Sequence, residues 1–291
     1  MQGEEKRLSD PVFVLSISCP DRRGIVAEVS RFLFERDCNI LDSQQYCDRG
    51  NGRFFLRIHF VSEGGVGEAR LKQEFVPLVE KFAMDAGLFD AARKSRVMIM
   101  VSKFGHTLVD LLYRVRIGSI AMEVPLIVSN HHTFEDVAKS AGIPFVYLPV
   151  SKDDKLAAEE RLAELEAGHR IDLIVLARYM QILSDRFCAP RLGRIINIHH
   201  SFLPSFKGAN PYTQAHDRGV KLIGATAHYV TGNLDEGPII EQAVERVTHA
   251  LNPEDYVAVG RDIENSVLAR AVKWHCERRI IINGRRTVIF P

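Results

Sequence analysis

Hydrophobic residues follow two different spacing patterns along this chain, and the pattern changes near residue 93. Before that point, β-rich runs alternate with segments whose apolar residues recur at helical spacing. The β-rich runs lie at 11–19, 38–48 and 53–62, and the helical segments lie at 24–37 and 66–83. An Asn-Gly turn joins the second and third runs as a hairpin. A weaker strand at 87–92 would complete the order βαββαβ, which places helices on one face of an antiparallel sheet.

Beyond residue 93 the apolar runs are short, β-branched and continuous, as in parallel strands that are buried on both faces. They lie at 97–102, 125–130, 144–151, 172–177 and 194–201, with helical segments between them. This alternation predicts a doubly wound, mostly parallel sheet. We therefore predict an α/β protein with two domains, a ferredoxin-like domain over 1–93 and a doubly wound domain over 94–291.

Composition narrows the class of protein. Of 291 residues, 46% are hydrophobic and 26% are charged, which is typical of a globular chain. The near balance of 38 basic and 37 acidic residues argues against nucleic acid as a partner. The N-terminal segment lacks the apolar core of a signal peptide, and no run reaches the roughly 18 apolar residues of a membrane helix. Together with five scattered cysteines, these features predict a cytoplasmic protein with no membrane partner.

One apolar strand of the second domain carries a row of polar side chains. Asn197, His199 and Ser201 alternate along it, so the two-residue period of a strand places all three on one face. They lie at its carboxyl end, where ligands bind in open α/β sheets. Because buried polar groups are unfavourable unless they are used, this segment is a candidate active site. A set of structural hydrogen bonds is the alternative.

Two further segments could complete such a site. Asp235 lies in a turn just before Gly237, which permits close backbone approach, and His228 lies on the preceding strand. A third segment mixes apolar and polar side chains in a way that suits one wall of a pocket for a flat ring. Its members are Met180, Gln181, Ile182 and Leu183. The alternatives are structural roles. Asp235 would then only form a turn, His228 would only pack in the core, and residues 180–183 would only connect a strand to a helix.

The chemistry open to these residues needs neither a metal nor a covalent nucleophile. An asparagine amide can donate to a developing oxyanion, and a histidine and an aspartate can transfer protons. The histidine pairs at 131–132 and 199–200 lack the spacing of metal ligands, and no nucleophile elbow surrounds Ser201. The set therefore indicates acyl transfer to water or to an amine.

These segments resemble the motifs of a known family. Asn197–Gly208 matches N-I-H-x-S-x-L-P-x-F-x-G, and Leu234–Pro238 matches L-D-x-G-P, the motif pair of formyltransferases that use 10-formyltetrahydrofolate. The resemblance extends over about 95–291. The turn at Asp21–Ile25 resembles the opening of the first helix in an ACT domain, a small ligand-sensing module. The expected fold is an ACT-like domain followed by a formyltransferase-like domain.

The domain order resembles that of the deformylases of this family, and so does His200, which stands where purine-pathway transformylases usually have proline. The resemblance implies hydrolysis of 10-formyltetrahydrofolate to tetrahydrofolate and formate, which balances one-carbon pools and supplies formate for purine synthesis. Formyl transfer to an amine such as glycinamide ribonucleotide is the alternative, although Lys103 and Phe104 stand where a glycine- and serine-rich phosphate loop is expected. A tRNA acceptor fits less well, because the extra domain is N-terminal and acidic. A non-enzymatic amino-acid-binding regulator is the alternative of another class.

By the same resemblance, Asn197, His199 and Asp235 are the catalytic residues. Asn197 would hold the formyl oxygen, and Asp235 would position His199 and the attacking water and accept a proton. His199 would stabilise the tetrahedral intermediate or protonate the leaving nitrogen, and which of the two residues carries which proton stays open. The expected substrate-binding residues are Met180, Gln181, Ile182, Leu183, His228 and Gly237. Folate is the substrate, so we expect neither a cofactor nor a metal.

The ACT-like domain implies regulation by amino acids. Asp21 could accept from an amino group, the free amides at Gly24 could receive a carboxylate, and Asn39 begins the next strand along the chain. The resemblance suggests glycine and methionine as effectors with opposite effects. Since ACT sheets usually pair edge to edge between subunits, we expect a homo-oligomer, namely a tetramer. Asp21 acting only as a helix cap is the alternative.

Overall fold

A computed structural model describes residues 10–151, 154–203 and 211–291. Residues 204–208 of the longer motif therefore lie outside the described residues. The chain divides into two units. The first extends to Lys94 and includes Glu277–Asn283 and Val288–Pro291, and the second comprises Ser95–Cys276 and Gly284–Thr287.

The first unit has the expected βαββαβ order. Its elements are β1 (Val12–Pro20), α1 (Ile25–Phe34), β2 (Cys38–Asp48), β3 (Arg53–Ser62), α2 (Glu68–Phe82) and β4 (Asp85–Asp90). The strands pair antiparallel in the order β2-β3-β1-β4. This arrangement confirms the prediction of a ferredoxin-like, ACT-like fold.

The pattern of buried residues explains why these segments fold this way. Alternate β3 residues, Phe54, Leu56, Ile58 and Phe60, join one apolar core. Residues of α1 at helical spacing, such as Ile25 and Val29, complete it. The apolar pattern therefore determines both the register of the sheet and the buried face of the helix.

Part of the C-terminal tail belongs to the first unit, whereas the sequence pattern predicts all of 94–291 as the second domain. The Arg57 side chain donates to the backbone carbonyls of Glu277 and Arg278. In addition, the Asn283 amide donates to Asp48 at 2.8 Å. These hydrogen bonds join residues more than 200 positions apart, so no local pattern indicates them.

The second unit alternates strands and helices as predicted. Its elements are β5 (Ser95–Val101), α3 (His106–Arg116), β6 (Met122–Ser129), α4 (Glu135–Ser140), β7 (Phe145–Tyr147), α5 (Lys155–Gly168), β8 (Leu173–Ala177), α6 (Asp185–Cys188), β9 (Ile195–His199), α7 (Pro211–Asp217), β10 (Leu222–Tyr229), β11 (Ile239–Arg246) and α8 (Pro253–Cys276). β12 (Ile280–Asn283) and β13 (Arg286–Ile289) form a separate hairpin, as Asn283-Gly284 predicts. β7 is shorter than its apolar run because Pro149, which has no N–H to donate, interrupts that run.

The seven-stranded sheet has the order β11-β10-β9-β8-β5-β6-β7. Pairings from β9 through β7 are parallel, and β10 pairs antiparallel with both of its neighbours. This confirms the doubly wound, mostly parallel fold. The carboxyl ends of β8 and β9 consequently lie at one edge of the sheet, next to residues of β10. No helix of the described chain has the length and hydropathy needed to cross a membrane.

Candidate active site

The register of β9 and β10 brings Asn197, His199 and His228 together. Asn197 and His199 lie two positions apart on β9 and share a face. Because β10 runs antiparallel to β9, His228 pairs directly with Asn197, and Thr226 pairs with His199. Two separate sequence segments thus meet at the carboxyl end of β9.

Asp235 reaches these residues from the loop that follows β10. Its Oδ2 lies 3.2 Å from His199 Nδ1, and its Oδ1 lies 3.5 Å from His228 Nε2. The backbone at Asp235 is left-handed, with φ of 56°, a conformation in which aspartate is enriched among non-glycine residues. One carboxylate therefore bridges two buried imidazoles.

Gly237 makes this loop geometry possible. A Cβ atom at this position would lie 1.7 Å from the carbonyl oxygen of Tyr229, so only glycine fits. The backbone N–H of Tyr229 donates to the carbonyl of Pro238 at 2.9 Å and holds the loop against β10. Gly237 thus shapes the loop that presents Asp235, and its expected contact with substrate stays a prediction.

Two histidines keep Asp235 ionised. Burial alone would raise the pKa of this carboxyl group, but the neighbouring imidazoles of His199 and His228 hold its pKa well below the usual range. His228 Nδ1 carries a proton, because it lies 2.9 Å from the carbonyl of Tyr229, which can only accept. His228 Nε2 lies 3.2 Å from Asn197 Nδ2, so this second nitrogen can accept a hydrogen bond from the asparagine amide.

His199 has one occupied and one open nitrogen. Its Nδ1 faces Asp235, whereas its buried Nε2 has no hydrogen-bond partner among the residues that the structure describes. A buried polar atom without a partner is unfavourable unless water or a ligand satisfies it. With Nδ1–H donating to the carboxylate, neutral His199 presents a lone pair at Nε2.

A cleft of about 270 Å³ lies in front of this cluster. It is lined by Asn197, His199, His228 and Asp235, by the loop at 230–234, and by Met180, Gln181, Ile182 and Leu183. Met180 and Ile182 are more than half exposed, although both are large and apolar. Exposed apolar side chains beside convergent polar groups are typical of a ligand pocket. The structure therefore brings every predicted catalytic residue together with residues 180–183, the predicted wall of a pocket for a flat ring.

The cleft and its surroundings contain groups that the sequence analysis did not identify. Arg178 and Tyr179 line the cleft, and burial raises the pKa of Tyr179 to about 12. Glu264 of α8 is 1% exposed and accepts hydrogen bonds from His106 and Tyr212. No motif surrounds Glu264, so only its place in the fold reveals it. Within the described part of the chain, no three His, Cys, Asp or Glu side chains are placed to hold a metal ion.

His200 gives the protein a predicted pH dependence of stability. Burial, with the charges of Arg178 and His199 nearby, lowers the pKa of His200 to about 3. An unfolded histidine titrates near about 6.5, so between these values the unfolded chain binds the extra proton. Stability is therefore lost as the pH falls below about 6.5, at up to about 1.4 kcal/mol per pH unit.

We expect His200→Asn to remove this part of the pH dependence. The measurement is the free energy of unfolding by urea at several pH values between about 6.5 and 4.5. His132→Asn, which changes an exposed histidine, should keep the slope of the parent protein. Equal slopes for the parent protein and His200→Asn would show that His200 is not held neutral.

The fold and the site define a class, and comparison with known proteins agrees with it. A family model described as "Formyl transferase" matches residues 95–272, and the model of the ACT domain matches residues 13–75. The solved glycinamide ribonucleotide transformylase 1 of Symbiobacterium toebii resembles part of this chain. It has a TM-score of 0.64 and 31% identity, and the match covers 68% of this chain and 95% of that one.

Full-length relatives narrow the class. The formyltetrahydrofolate deformylase of Bacillus subtilis is 50% identical over 279 residues, covering 95% of this chain and 93% of that protein. That of Corynebacterium sp. (strain P-1) is 48% identical, with 95% and 97% covered. The crystal structure of the deformylase from Burkholderia mallei has a TM-score of 0.93 and 48% identity, and covers 97% of this chain and 100% of that one. The chain belongs to the formyltetrahydrofolate deformylase family.

Proposed function

We infer that this protein hydrolyses 10-formyltetrahydrofolate to tetrahydrofolate and formate. Family membership over nearly the full chain supports this reaction. The observation that carries the mechanism is the His199–Asp235 pair, which lines the cleft together with Asn197 and leaves the buried His199 Nε2 without a partner among the described residues. The reaction would balance one-carbon pools and release formate for purine synthesis.

Asn197 would act on the formyl oxygen. Addition of water to the formyl carbon turns the carbonyl oxygen into an oxyanion, and a fixed amide N–H stabilises that charge more than it stabilises the neutral carbonyl. His228 Nε2, at 3.2 Å, fixes the orientation of the Asn197 amide in advance. Preorganisation of this kind avoids reorientation during the reaction.

His199 is the residue best placed to carry the proton. Nε2 would take one proton from the attacking water as the water oxygen bonds to the formyl carbon. The resulting imidazolium would return this proton to N10 of the folate as the carbon–nitrogen bond breaks. The formic acid formed then gives up its proton to water and becomes formate, so atoms and protons balance.

Asp235 would serve as the partner of His199. Its depressed pKa makes this carboxylate a poor proton acceptor, which favours His199 over Asp235 in that role. An ionised carboxylate 3.2 Å from Nδ1 holds the imidazole in the useful tautomer and stabilises its protonated form.

Formyl transfer to an amine remains the competing reaction to test. The transformylase structure covers 68% of this chain, whereas the deformylase structure covers 97%. We expect formate release at an undiminished rate when glycinamide ribonucleotide is added, with no formylated amine formed. Liquid chromatography of folates, formate and formylated ribonucleotide measures all products in one reaction. Formylated amine in place of formate would refute hydrolysis as the function.

We also propose that the first unit senses amino acids in a cytoplasmic homo-oligomer, with opposite effects of glycine and methionine as the resemblance suggests. Helix α1 begins after Gly24 with no side-chain cap, and Asp21 accepts instead from Cys47 Sγ at 3.3 Å, so Asp21 is not a helix cap. Asn39 pairs with Val61 on β3, and Pro20, the residue before Asp21, pairs with Arg53 on the same strand.

Val61 and Arg53 are eight residues apart along β3, which is a distance of about 27 Å. One chain therefore does not bring Asp21 and Asn39 together, and an effector that touches both would need two chains. The edge strands β2 and β4 are the surfaces through which ACT-like sheets could pair. A homo-oligomer with an effector at its interface fits this geometry, and a tetramer is the assembly that we propose. Sedimentation of the purified protein measures the number of subunits.

We expect Asp21→Ala to abolish the response of turnover to an amino-acid effector without changing turnover in its absence. An effector shifts activity only through different affinities for two states, so removal of its binding group removes the shift. The measurement is the rate of formate release with and without glycine or methionine. Asp85→Ala, which changes an exposed aspartate of β4, should respond like the parent protein. An unchanged response in Asp21→Ala would place the sensor elsewhere.

A further inference from the structure

A buried arginine in the cleft has no part in the reaction described above. Arg178 directly follows β8, and its side chain is only 10% exposed. Its backbone is left-handed, with φ of 63°, which is uncommon for a residue with a long side chain. The fold thus holds a guanidinium group at the carboxyl end of the sheet, among the residues that line the cleft.

The charge of Arg178 is incompletely paired. Its Nη1 lies 3.4 Å from Glu264 Oε2, but neither Nε nor Nη1 makes a hydrogen bond to any residue in the described ranges. Glu264 is already used, because it accepts from His106 Nε2 at 2.9 Å and from the Tyr212 hydroxyl at 2.7 Å. Buried donors of a cation are unfavourable without acceptors, so the site is incomplete without an anion or water.

The position of this guanidinium relates it to the reacting centre. Arg178 contributes to the low pKa of His200, after the larger effect of burial. The His200 ring is adjacent to that of His199, with 5.1 Å between their centroids. The guanidinium also lies near an aromatic side chain, with 5.6 Å between Arg178 Cζ and the centroid of the Phe104 ring. Arg178 consequently lies beside an aromatic ring and lines the same cleft as the histidine that would act on the formyl group.

We propose that Arg178 binds the formate product after the carbon–nitrogen bond breaks, an inference that rests on the proposed hydrolysis. A guanidinium presents parallel N–H donors that match the two oxygens of a carboxylate. Formate is the smallest carboxylate, so of all carboxylates it needs the least room beside a buried guanidinium. The carboxylates of folate itself lie at its glutamate end, many bonds from N10. Formate is the anion that the reaction creates beside His199.

Capture of formate would separate the two products before either leaves. Formate held by Arg178 would no longer present its carbon to the N10 lone pair, so the reverse reaction is suppressed. The same interaction predicts that added formate inhibits turnover and that formate binds the resting protein. Both effects are measurable with formate as its sodium salt.

The test compares Arg178→Gln with the parent protein in two measurements. Saturation-transfer NMR of the formate proton reports binding to the resting protein, and product inhibition reports binding during turnover. Loss of a charge-assisted pair of hydrogen bonds should weaken formate binding by at least about tenfold in both. Arg178→Lys keeps the charge but not the paired donors, so it should show an intermediate loss.

Arg261→Gln is the matched control. Arg261 is an exposed arginine whose Cζ lies 5.9 Å from the same Phe104 ring, and its removal should leave formate binding unchanged. Should Arg178→Gln fail to fold, the Arg178→Lys comparison tests the same proposal. Equal formate affinity in the parent protein and the folded Arg178 variants would overturn it, and so would equal losses in the Arg178 and Arg261 variants. Failure of the parent protein to release formate from 10-formyltetrahydrofolate would instead contradict the proposed function, whatever the binding results.

Discussion

Replacing Asp235 with asparagine is expected to lower turnover by about 10²–10⁴ while folate still binds. The two side chains are nearly equal in size, so the cleft keeps its shape. Asparagine, however, cannot supply the negative charge that fixes the His199 tautomer and stabilises its protonated form. The measurement is the rate of formate release at saturating substrate, together with folate affinity from equilibrium binding.

Asp185→Asn is a suitable control for this change. Asp185 packs against Gly232 of the loop that lines the cleft, yet it is exposed and lies in α6. Its variant should keep parental turnover. If Asp235→Asn kept more than about a tenth of parental turnover, the role given to this carboxylate would be wrong.

Replacing Asn197 with alanine is expected to lower turnover by about 10²–10³, which corresponds to about 2.7–4 kcal/mol of lost transition-state stabilisation. Folate affinity should change much less, because the amide acts mainly on the oxyanion. Steady-state kinetics separate these effects, since kcat should fall while KM stays nearly constant.

Asn233→Ala provides the control for this second change, because Asn233 also lines the cleft but lies in the loop before Asp235 rather than on β9. It should affect kcat far less than Asn197→Ala does. A fall in folate affinity with unchanged kcat in Asn197→Ala would make Asn197 a binding residue only.

The architecture was largely predictable because each strand carries a local signal. Continuous apolar runs such as 173–177 indicate burial on both faces, and the β-rich run at 53–62 indicates a strand. The assignment of 277–283 to the first unit was not predictable, since it depends on carbonyl groups that accept from Arg57, 220 positions away. Backbone acceptors of this kind leave no trace in side-chain pattern.

The site was predictable to a similar degree. The two-residue period alone places Asn197 and His199 on one face. The proximity of Asn197 and His199 to His228 and Asp235 depends on the antiparallel pairing of β10 with β9. From the sequence, only the family resemblance indicates this proximity. The sequence does not predict a role for Arg178, because that role depends on the burial of its side chain and on its missing hydrogen-bond partners.

The central claim is that water, not an amine, receives the formyl group, and the most direct test is the isotopic composition of the product. The protein is incubated with 10-formyltetrahydrofolate in ¹⁸O-labelled water without any amine, and the formate is analysed by mass spectrometry. Hydrolysis at the His199–Asp235 site predicts one solvent oxygen in each formate, formed in equal amount to tetrahydrofolate, and a rate that Asp235→Asn nearly abolishes. Absence of labelled formate, or formation of tetrahydrofolate only when an amine is added, would contradict the account.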